Sequence, residues 1–424
     1  MYDNSKNKKF PLNERAVLML AITIVLFSIG NYLINGLHSG LKYKGGDFLN
    51  YYVNGKLMMM GVNIHDDTER EEAVAKAHIF LRGEQTKRHH QPDYPPFWYL
   101  MMWLLTGFRW EIAFYIWVLI NQVILIFTFY FLFKYFSIKL YSVESVLVLF
   151  IFLNFYPLFY TLMEGQVNIL LLFLVAWSLW LFKRRVDWAA GLLLGLAVGI
   201  KIVPAFLLFY FLWKRNWQVV IFGVIGFFAT LIISAAGAGS EIVLSYFTQQ
   251  LPKYGAVPRP EVFNQSINGF FSRLFTSTDS SNGWIYSPFT AGILTKISSV
   301  IVLIMTLIFT WGKSGRCSMN WNLGLGIFIV TMLMISSWTM EHLLIFLYIP
   351  YLIVLLGYFR NEGIAFKTAL IFAVLFIILA FNLPYTSARL NSGILILVKS
   401  LKFYPLIIIW LLLYLESRRL KISR

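Results

Sequence analysis

The sequence predicts an all-α polytopic membrane protein with about 12 transmembrane helices, and three observations support this fold class. Hydrophobic residues make up 58% of the 424 residues and aromatic residues 18%, whereas charged residues make up only 13%. A soluble protein of this size could not bury so much apolar surface in its core. Apolar runs of roughly 17–25 residues recur along the chain, which is the length that crosses a bilayer as a helix. Most Lys and Arg residues lie in the short connections between these runs.

The net charge of +16 could indicate nucleic-acid binding, but its distribution follows the positive-inside rule for membrane proteins. Basic residues up to Arg15 precede the first apolar run, which extends approximately over residues 16–37. That run is too long for the core of a signal peptide, so we expect a retained first span with its basic flank in the cytoplasm. The single cysteine, Cys317, excludes an internal disulfide and offers no metal-ligand pattern.

A long polar insert, residues 38–95, follows the first span and is therefore predicted to be extracytoplasmic. It opens with two glycines and Asp47, which is either the N-cap of a helix or a carboxylate placed for chemistry beside the membrane. Apolar and aromatic residues at helical spacing after Asp47 predict a helix lying in the membrane interface. A second, charged helix is predicted from near Asp66 to Leu81.

The run 97–108 is short for a crossing, so we interpret it as an interfacial or re-entrant segment. Without a crossing there, the later basic clusters lie in the cytoplasm, as the charge rule requires. Residues 188–213 hold two apolar halves separated by Lys201 and Pro204. A lysine in mid-membrane is costly, so we expect a hairpin of two short helices with Lys201 at its extracytoplasmic tip. The other spans are expected near residues 16–37, 111–133, 143–162, 167–182, 216–236, 290–311, 321–336, 339–357, 367–383 and 393–414.

The chain is expected to form a single domain, residues 1–424, with a second long extracytoplasmic loop at 239–288 and both termini in the cytoplasm. In this topology the unusual polar groups near the membrane all lie at the extracytoplasmic face. They are Asp47, His89, His90, Tyr94, Glu164, Gln166, Asn168, Lys201, Asn264, Gln265, Ser266, Arg273, Glu341 and His342. Polar residues with unrelated structural roles would lie at both faces of the membrane. Because these residues share one face, we expect Asp47 to be functional.

Six short motifs follow one another in an order that resembles a single family. They are Asp47-Phe48…Tyr51-Tyr52, Tyr94-Pro95-Pro96, Gly165-Gln166…Asn168, Gly195-Leu196-Ala197…Ile200-Lys201…Pro204, Asn264-Gln265-Ser266 with Arg273, and Ser337-Trp338…Glu341-His342. Together they resemble the GT-C superfamily of integral-membrane glycosyltransferases, in particular glycosyltransferase family 87, over roughly residues 16–345. Leu343 stands where a second histidine is expected, which puts a two-histidine role there in doubt.

The resemblance implies a GT-C fold and an enzyme that moves a sugar, mannose by default, from a polyprenyl phosphate to a lipid-linked or cell-surface glycan. It implies inversion at the anomeric carbon, with Asp47 as the general base that deprotonates the acceptor hydroxyl. The active site would lie on the extracytoplasmic face of the bacterial inner membrane. No cofactor, metal or nucleic-acid partner is expected.

A phosphate leaving group needs fixed positive charge where negative charge develops. Lys201 is the first candidate for that charge, Arg273 and His342 come next, and His89 is a further donor contact. The expected sugar contacts are hydrogen bonds from Gln166, Asn168, Asn264 and Gln265, stacking by Tyr94 or Trp338, and Glu341 beside His342. Structural roles stay open, because Lys201 would also cap carbonyls at a hairpin tip and Gln166 and Asn168 would also join helices.

Two other classes of protein share lipid-linked sugars as substrates. A transporter or flippase usually contains paired halves with broken helices in matching positions, and no second half is evident here. A glycan polymerase or ligase of another fold depends on loops later in the chain, whereas this chain has its large insert directly after the first span. The glycosyltransferase interpretation is therefore preferred, with the transporter as the alternative.

Overall fold

The computed structural model describes residues 14–77, 92–256, 258–278, 281–384 and 387–422. Within these ranges the chain is almost entirely helical, which confirms the predicted all-α class. A short antiparallel pair joins β1 (Ser277–Thr278) to β2 (Ser281–Asn282), with Thr278 opposite Ser281. The predicted donor contact His89 lies outside the described residues.

The first ten helices carry the predicted insert and the first broken segments of the bundle. Their bounds are α1 (Glu14–Asn31), α2 (Ser39–Tyr43), α3 (Gly46–Met59), α4 (Asp67–Ala77), α5 (Pro96–Thr106), α6 (Trp110–Phe136), α7 (Val143–Leu153), α8 (Tyr156–Glu164), α9 (Asn168–Lys183) and α10 (Asp187–Ile200). A π-helical turn, Tyr32–His38, joins α1 to α2, so one helical segment runs from Arg15 to Tyr43.

The other ten helices complete the described fold. Their bounds are α11 (Ala205–Trp213), α12 (Trp217–Ala238), α13 (Ser240–Ser245), α14 (Leu251–Ala256), α15 (Ile267–Phe275), α16 (Pro288–Phe309), α17 (Met319–Ile335), α18 (Tyr348–Phe359), α19 (Phe366–Ala380) and α20 (Phe403–Ile422). A π-helical turn (Tyr246–Gln250) precedes α14, and 3₁₀ turns occupy Glu341–Leu347, Ala388–Leu390 and Gly393–Ser400.

Several helices are long and apolar enough to cross a membrane. Among the described residues these are Arg15–Tyr43, Trp110–Phe136, Trp217–Ala238, Pro288–Phe309 and Glu341–Phe359. The number rises from five to seven if the bent pairs α7–α8 and Gly393–Ser400 with α20 are each one span. Shorter apolar helices include α9, α10, α17 and α19. The predicted count of about 12 spans is therefore not confirmed, and the prediction that 97–108 does not cross stays a prediction.

The helix predicted to lie in the membrane interface is α3. It buries most of its apolar residues against α5 and α6. The Phe48 ring stacks on Trp117 of α6, and Tyr51 meets Trp98 of α5 edge to face. These contacts fix the start of α3, where Asp47 lies, on the body of the protein.

Cationic side chains gather at one end of the helices, where they bind backbone carbonyls that helix ends leave without partners. The contacts are Lys183 Nζ to Tyr135 O at 2.5 Å, Lys214 Nζ to Thr310 O at 2.7 Å and Arg360 to Phe136 O at 2.6 Å. Arg316 also forms an ion pair with Asp187 at the start of α10. These are the residues that the charge rule assigned to the cytoplasm. Lys201 lies at the opposite end of α10 from Asp187.

The predicted hairpin is confirmed as two helices, α10 and α11, separated by residues 201–204. The α10 helix packs on α12 with almost no gap between backbones. A Cβ atom on Gly195 would lie 2.2 Å from the carbonyl oxygen of Gly223, and one on Gly191 would lie 2.4 Å from that of Val219. The close contact fixes α10, and therefore Lys201 at its end, against the bundle.

Replacing Gly195 by valine should lower the thermal unfolding midpoint of the protein in detergent, because the added Cβ meets backbone that cannot move aside. Overpacking of this kind costs about 1–3 kcal/mol or more. Gly30→Val is the matched control, since a Cβ there would meet no heavy atom within 4 Å and the helix propensity changes equally. Equal midpoints for the two variants would contradict the packing described.

Candidate functional site

Asp47 lies where the start of α3 meets the break between α8 and α9. Gly45 and Gly165 both have left-handed backbones, with φ of +61° and +66°. A Cβ on Gly165 would lie 2.6 Å from the Cβ of Phe48, so only glycine permits this approach. Gly45 N also donates to Met163 O at 3.0 Å.

The interpretation of Asp47 as a helix N-cap is wrong. The helix starts at Gly46, and its capping position is occupied by Gly45, which has no side chain. Asp47 is the second helical residue, and its side chain is 41% exposed toward a cavity that it lines. The carboxylate is therefore available for contact with a ligand.

The amide of Gln166 connects Asp47 to two tyrosines. Its Nε2 donates to Asp47 Oδ2. Its Oε1 accepts from Tyr51 Oη at 2.8 Å and from Tyr94 Oη at 2.9 Å. Because both hydroxyl groups meet the carbonyl oxygen, the amide must turn its NH₂ group toward Asp47.

Lys201 reaches the same network from the tip of the hairpin. Its Nζ donates to Tyr94 Oη at 3.1 Å and to Asn168 Oδ1 at 3.4 Å, and it lies 5.0 Å from the center of the Tyr94 ring. The alternative that Lys201 caps backbone carbonyls has no support in these contacts. The ammonium group is held by a phenol and an amide at the edge of the cavity.

His342 lies between Asn168 and Asp47. Asn168 Oδ1 faces Lys201, so its NH₂ group faces His342 Nδ1 at 2.7 Å. A ring nitrogen that accepts this bond carries no proton, so the proton of a neutral His342 is on Nε2. That atom lies 3.9 Å from Asp47 Oδ2. Hydrogen bonds thus link the side chains of Asp47, Gln166, Tyr94, Lys201, Asn168 and His342 in that order, and the two ends, Asp47 and His342, lie 3.9 Å apart. These six residues are called the polar ring.

The polar ring borders a cavity of about 440 Å³. One part of the cavity wall is polar and includes five members of the ring. The rest is mainly apolar and comes from α11, α14, α17 and the segments beside them. The lining residues are Asp47, Asn50, Tyr51, Asp93, Tyr94, Pro95, Gln166, Lys201, Ile202, Val203, Ala205, Phe206, Tyr246, Leu251, Met332, Ile335, Ser336, Ser337, Trp338, Met340 and His342. An elongated molecule with a charged head and an apolar tail matches such a wall.

Arg273, a predicted phosphate contact, does not line this cavity. Its guanidinium is 1% exposed and donates to the carbonyls of Glu261 and Asn264 and to Ser400 Oγ. Its donors bind the protein itself, so they are not directed at the cavity. Arg273 thus joins the second long loop to the 3₁₀ turn Gly393–Ser400, which precedes α20.

Asn264 and Gln265, predicted sugar contacts, also lie behind the cavity wall. The Asn264 amide donates to Ser337 O at 3.2 Å and accepts from Thr339 N at 3.0 Å. Gln265 donates to Lys399 O and is not among the described residues that line the cavity. Both residues fix the segment that carries Trp338.

Glu341, predicted beside His342 as a donor contact, points away from the cavity. Its carboxylate binds Lys402 Nζ at 2.6 Å, and both side chains are at most 2% exposed. Neighbouring side chains in a sequence need not face the same way. His342 faces the cavity, whereas Glu341 is half of an internal ion pair.

Trp338 lies where a stacking residue was predicted, on the cavity wall. The guanidinium of Arg259 covers its ring at 4.4 Å. Arginine favours such stacking, and it holds the indole in place. Its Nε1–H is buried without a hydrogen-bond partner in the described chain.

Two residues near the ring were not predicted as functional. Tyr51 binds Gln166 and Tyr94, and its place four residues after Asp47, on the same face of α3, could have indicated it. Glu164 accepts hydrogen bonds from the backbone N–H of Asp47 and from the hydroxyl groups of Tyr43 and Tyr160. Glu164 therefore fixes the backbone of the residue whose side chain faces the cavity.

Asp93 is a second carboxylate in the cavity wall that the sequence did not single out. Burial raises its pKa from the ordinary value of 3.8 to about 7, although Arg259 lowers it. An acid with a raised pKa in the folded state makes the protein less stable as the pH rises from about 4 to about 7. Asp93 thus costs stability at neutral pH.

A metal site is not evident in the part of the chain that the structure describes, since no three His, Cys, Asp or Glu side chains there lie close enough together to hold an ion. The expectation that no metal is needed stays a prediction.

The fold and the cavity together define a class: an integral membrane protein whose helix bundle holds a polar ring at one end and an apolar wall beside it. The sequence profile of glycosyltransferase family 87 matches residues 93–337, more than half of the chain. The chain belongs to glycosyltransferase family 87. The match covers Tyr94, Gln166, Asn168 and Lys201 of the polar ring.

Curated relatives come from mycobacteria. A polyprenol-phosphate-mannose-dependent alpha-(1-2)-phosphatidylinositol pentamannoside mannosyltransferase of Mycobacterium tuberculosis is 36% identical over 119 residues, 28% of this chain and 27% of its own length. Its counterpart in Mycolicibacterium smegmatis is 38% identical over 119 residues, 28% of each chain. A phosphatidylinositol mannoside mannosyltransferase of Mycobacterium tuberculosis is 28% identical over 138 residues, 32% of this chain and 31% of its own length. The chain thus matches less than a third of each relative. No solved structure matches.

Proposed function

We propose that this protein is an inverting glycosyltransferase that moves a sugar, mannose by default, from a polyprenyl phosphate to a lipid-linked or cell-surface glycan. The single observation that carries the proposal is the polar ring, which holds the Asp47 carboxylate and the Lys201 ammonium at one cavity in a chain of family 87. The names of the mycobacterial relatives support the donor and the glycolipid nature of the acceptor.

Asp47 acts as the general base in this proposal. Its carboxylate takes the proton of an acceptor hydroxyl while that oxygen attacks the anomeric carbon of the donor sugar. Gln166 holds one carboxylate oxygen, and His342 Nε2 lies 3.9 Å from the same oxygen. These contacts orient the carboxylate before the acceptor arrives.

Lys201 acts at the leaving group. The bond from the anomeric carbon to the phosphate oxygen breaks, and the electron pair leaves with the polyprenyl phosphate. A positive charge held in place by Tyr94 and Asn168 stabilises the charge that develops on that oxygen. His342 is not the main phosphate ligand in this proposal, because its Nδ1 binds Asn168 and its Nε2 lies beside Asp47.

The apolar wall receives the lipid of the donor in this proposal. Ile202 and Val203 follow Lys201 directly, Phe206 lies in the first turn of α11, and Met332 and Ile335 of α17 line the same cavity. A phosphate at Lys201 would therefore leave its prenyl chain beside apolar side chains. Trp338 on the same wall offers a ring for the sugar, while Arg273, Asn264 and Gln265 shape the wall from behind.

The proposed location is the bacterial inner membrane, with the site extracytoplasmic and both termini cytoplasmic. Support comes from the cluster of cations at the other end of the helices, since Lys and Arg favour the cytoplasmic side.

The test is a transfer assay with purified protein in lipid, radiolabelled polyprenyl-phosphate mannose and a membrane glycolipid extract, with and without a chelator. We expect label in a new glycolipid product at the same rate in both, because the residues at the cavity supply base and positive charge without a metal. A rate that falls with chelator and returns with a divalent cation would contradict metal independence. No transfer from any polyprenyl-linked sugar, together with flipping of the donor across vesicles, would favour the transporter.

A further inference from the structure

We propose that Asp93 binds a hydroxyl group of the sugar being transferred and that this contact selects the donor sugar. The inference rests on the proposed function and extends it to the specificity of the site. It concerns a residue outside the motifs that pointed to the active site.

The position of Asp93 is the first support. It lines the cavity and directly precedes Tyr94, whose hydroxyl group joins Lys201 to Gln166. The charges of both Asp47 and Lys201 act on its carboxylate. In the proposed reaction the sugar lies between the phosphate at Lys201 and the attacking hydroxyl at Asp47. Asp93 therefore faces the space that the sugar ring would occupy.

The lack of hydrogen bonds to Asp93 is the second support. No hydrogen bond joins its carboxylate to another residue in the described part of the chain, and Oδ1 is buried. Buried acceptors in folded proteins nearly always have partners, and one without a partner costs stability. Oδ2 is not buried in this way, and the half-buried Asp93 side chain lines the cavity, so a sugar hydroxyl group would donate to Oδ2.

The surroundings of Asp93 match the chemistry of carbohydrate recognition. Trp338 lines the same cavity, and the Arg259 guanidinium covers the indole ring of Trp338. Among the nearby cations, Arg259 lowers the pKa of Asp93 the most. An indole face packs on the apolar face of a sugar, and a carboxylate accepts from its hydroxyl groups. The other charged groups that act on Asp93 are Asp47, Lys201 and Arg70.

A structural role for Asp93 as the partner of Arg259 is the competing explanation. No ion pair within 4 Å joins Asp93 to Arg259 among the described residues, and the Arg259 guanidinium lies over the Trp338 ring. A structural partner would affect every donor equally, whereas a sugar contact would affect only donors that differ at one hydroxyl group.

The experiment compares polyprenyl-phosphate mannose with its 2-, 3-, 4- and 6-deoxy analogues as donors for wild-type protein, Asp93→Asn and Asp93→Ala. With wild-type protein, we expect kcat/KM for one analogue to fall about 10- to 100-fold below that for mannose, the range for a hydrogen bond to a charged group. With Asp93→Ala, mannose itself should fall by a similar factor, and that analogue should fall no further. Asp93→Asn keeps the shape of the side chain and should give an intermediate loss.

Asp66→Asn is the matched control, because Asp66 caps α4 through Thr68 N and Glu69 N and lies outside the cavity. It should leave the donor series unchanged. If Asp93→Ala lowers kcat/KM by the same factor for mannose and for all four deoxy analogues, the effects of the variant and of the analogue add. That result would overturn the inference but would leave the proposed transferase function intact. If wild-type protein transfers no sugar from any polyprenyl phosphate, the proposed function fails and the inference fails with it.

Discussion

Asn in place of Asp47 should leave a folded, membrane-inserted protein whose transfer rate is lower by about 100- to 10,000-fold, the usual contribution of a general base. The amide still fits beside Gln166 and His342, but it cannot accept the proton of the acceptor hydroxyl. The loss should appear in kcat, because donor binding depends on Lys201 and the apolar wall. Initial rates with labelled donor at saturating acceptor measure it.

Asp66→Asn makes the same chemical change in the same insert, at an exposed helix start, and should keep the wild-type rate. Elution as a single species and an unchanged thermal midpoint would establish that Asp47→Asn is folded. Near-normal turnover by a folded Asp47→Asn protein would exclude Asp47 as the base.

Met in place of Lys201 should lower kcat/KM for the donor by about 100- to 1,000-fold, comparable to the loss of one preorganised group that stabilises a developing negative charge. Thermal stability should stay the same or rise, because a buried lysine is costly in an apolar setting and methionine of similar length is not. A structural lysine would give the reverse pattern, with lower stability and little change in donor use. Donor kinetics and thermal unfolding of one preparation therefore separate the two roles.

Lys296→Met is the matched control, since Lys296 is exposed on α16 and does not line the cavity. It should change neither the donor kinetics nor the midpoint by more than the error of the measurement. Unchanged donor kinetics in Lys201→Met would refute the phosphate role.

The members of the polar ring could be predicted from the sequence because their spacing places each one at a break between apolar segments. Asp47 follows the first span, Gln166 lies between α8 and α9, Asn168 begins α9, and Lys201 lies between α10 and α11. A polar residue at such a break is expensive unless it has a partner, which is a signal that one sequence carries by itself. All of these breaks proved to meet at one cavity.

Sequence reasoning is weakest on the direction of side chains and on the number of spans. Arg273 lies at the correct end of the molecule, but its guanidinium binds backbone carbonyls, and no pattern in the sequence distinguishes that from a ligand contact. Asp93 was overlooked because an acidic residue before Tyr94-Pro95-Pro96 also suits a turn. The predicted count of about 12 spans is not confirmed, because apolar helices such as α9 and α10 have only 16 and 14 residues.

The four members of the polar ring between Asp47 and His342 are each hydrogen-bonded to both neighbours, so none of the four can turn without breaking contacts on two sides. Losses from two substitutions in the ring should therefore not add, since the first already frees the partners of the second. Substitutions in the polar ring are therefore a poor way to change which sugar or lipid the site accepts. The apolar wall beside it, which includes Val203, Phe206 and Trp338, lines the same cavity but shares none of those hydrogen bonds. That wall is where the cavity can be reshaped while its chemistry is kept.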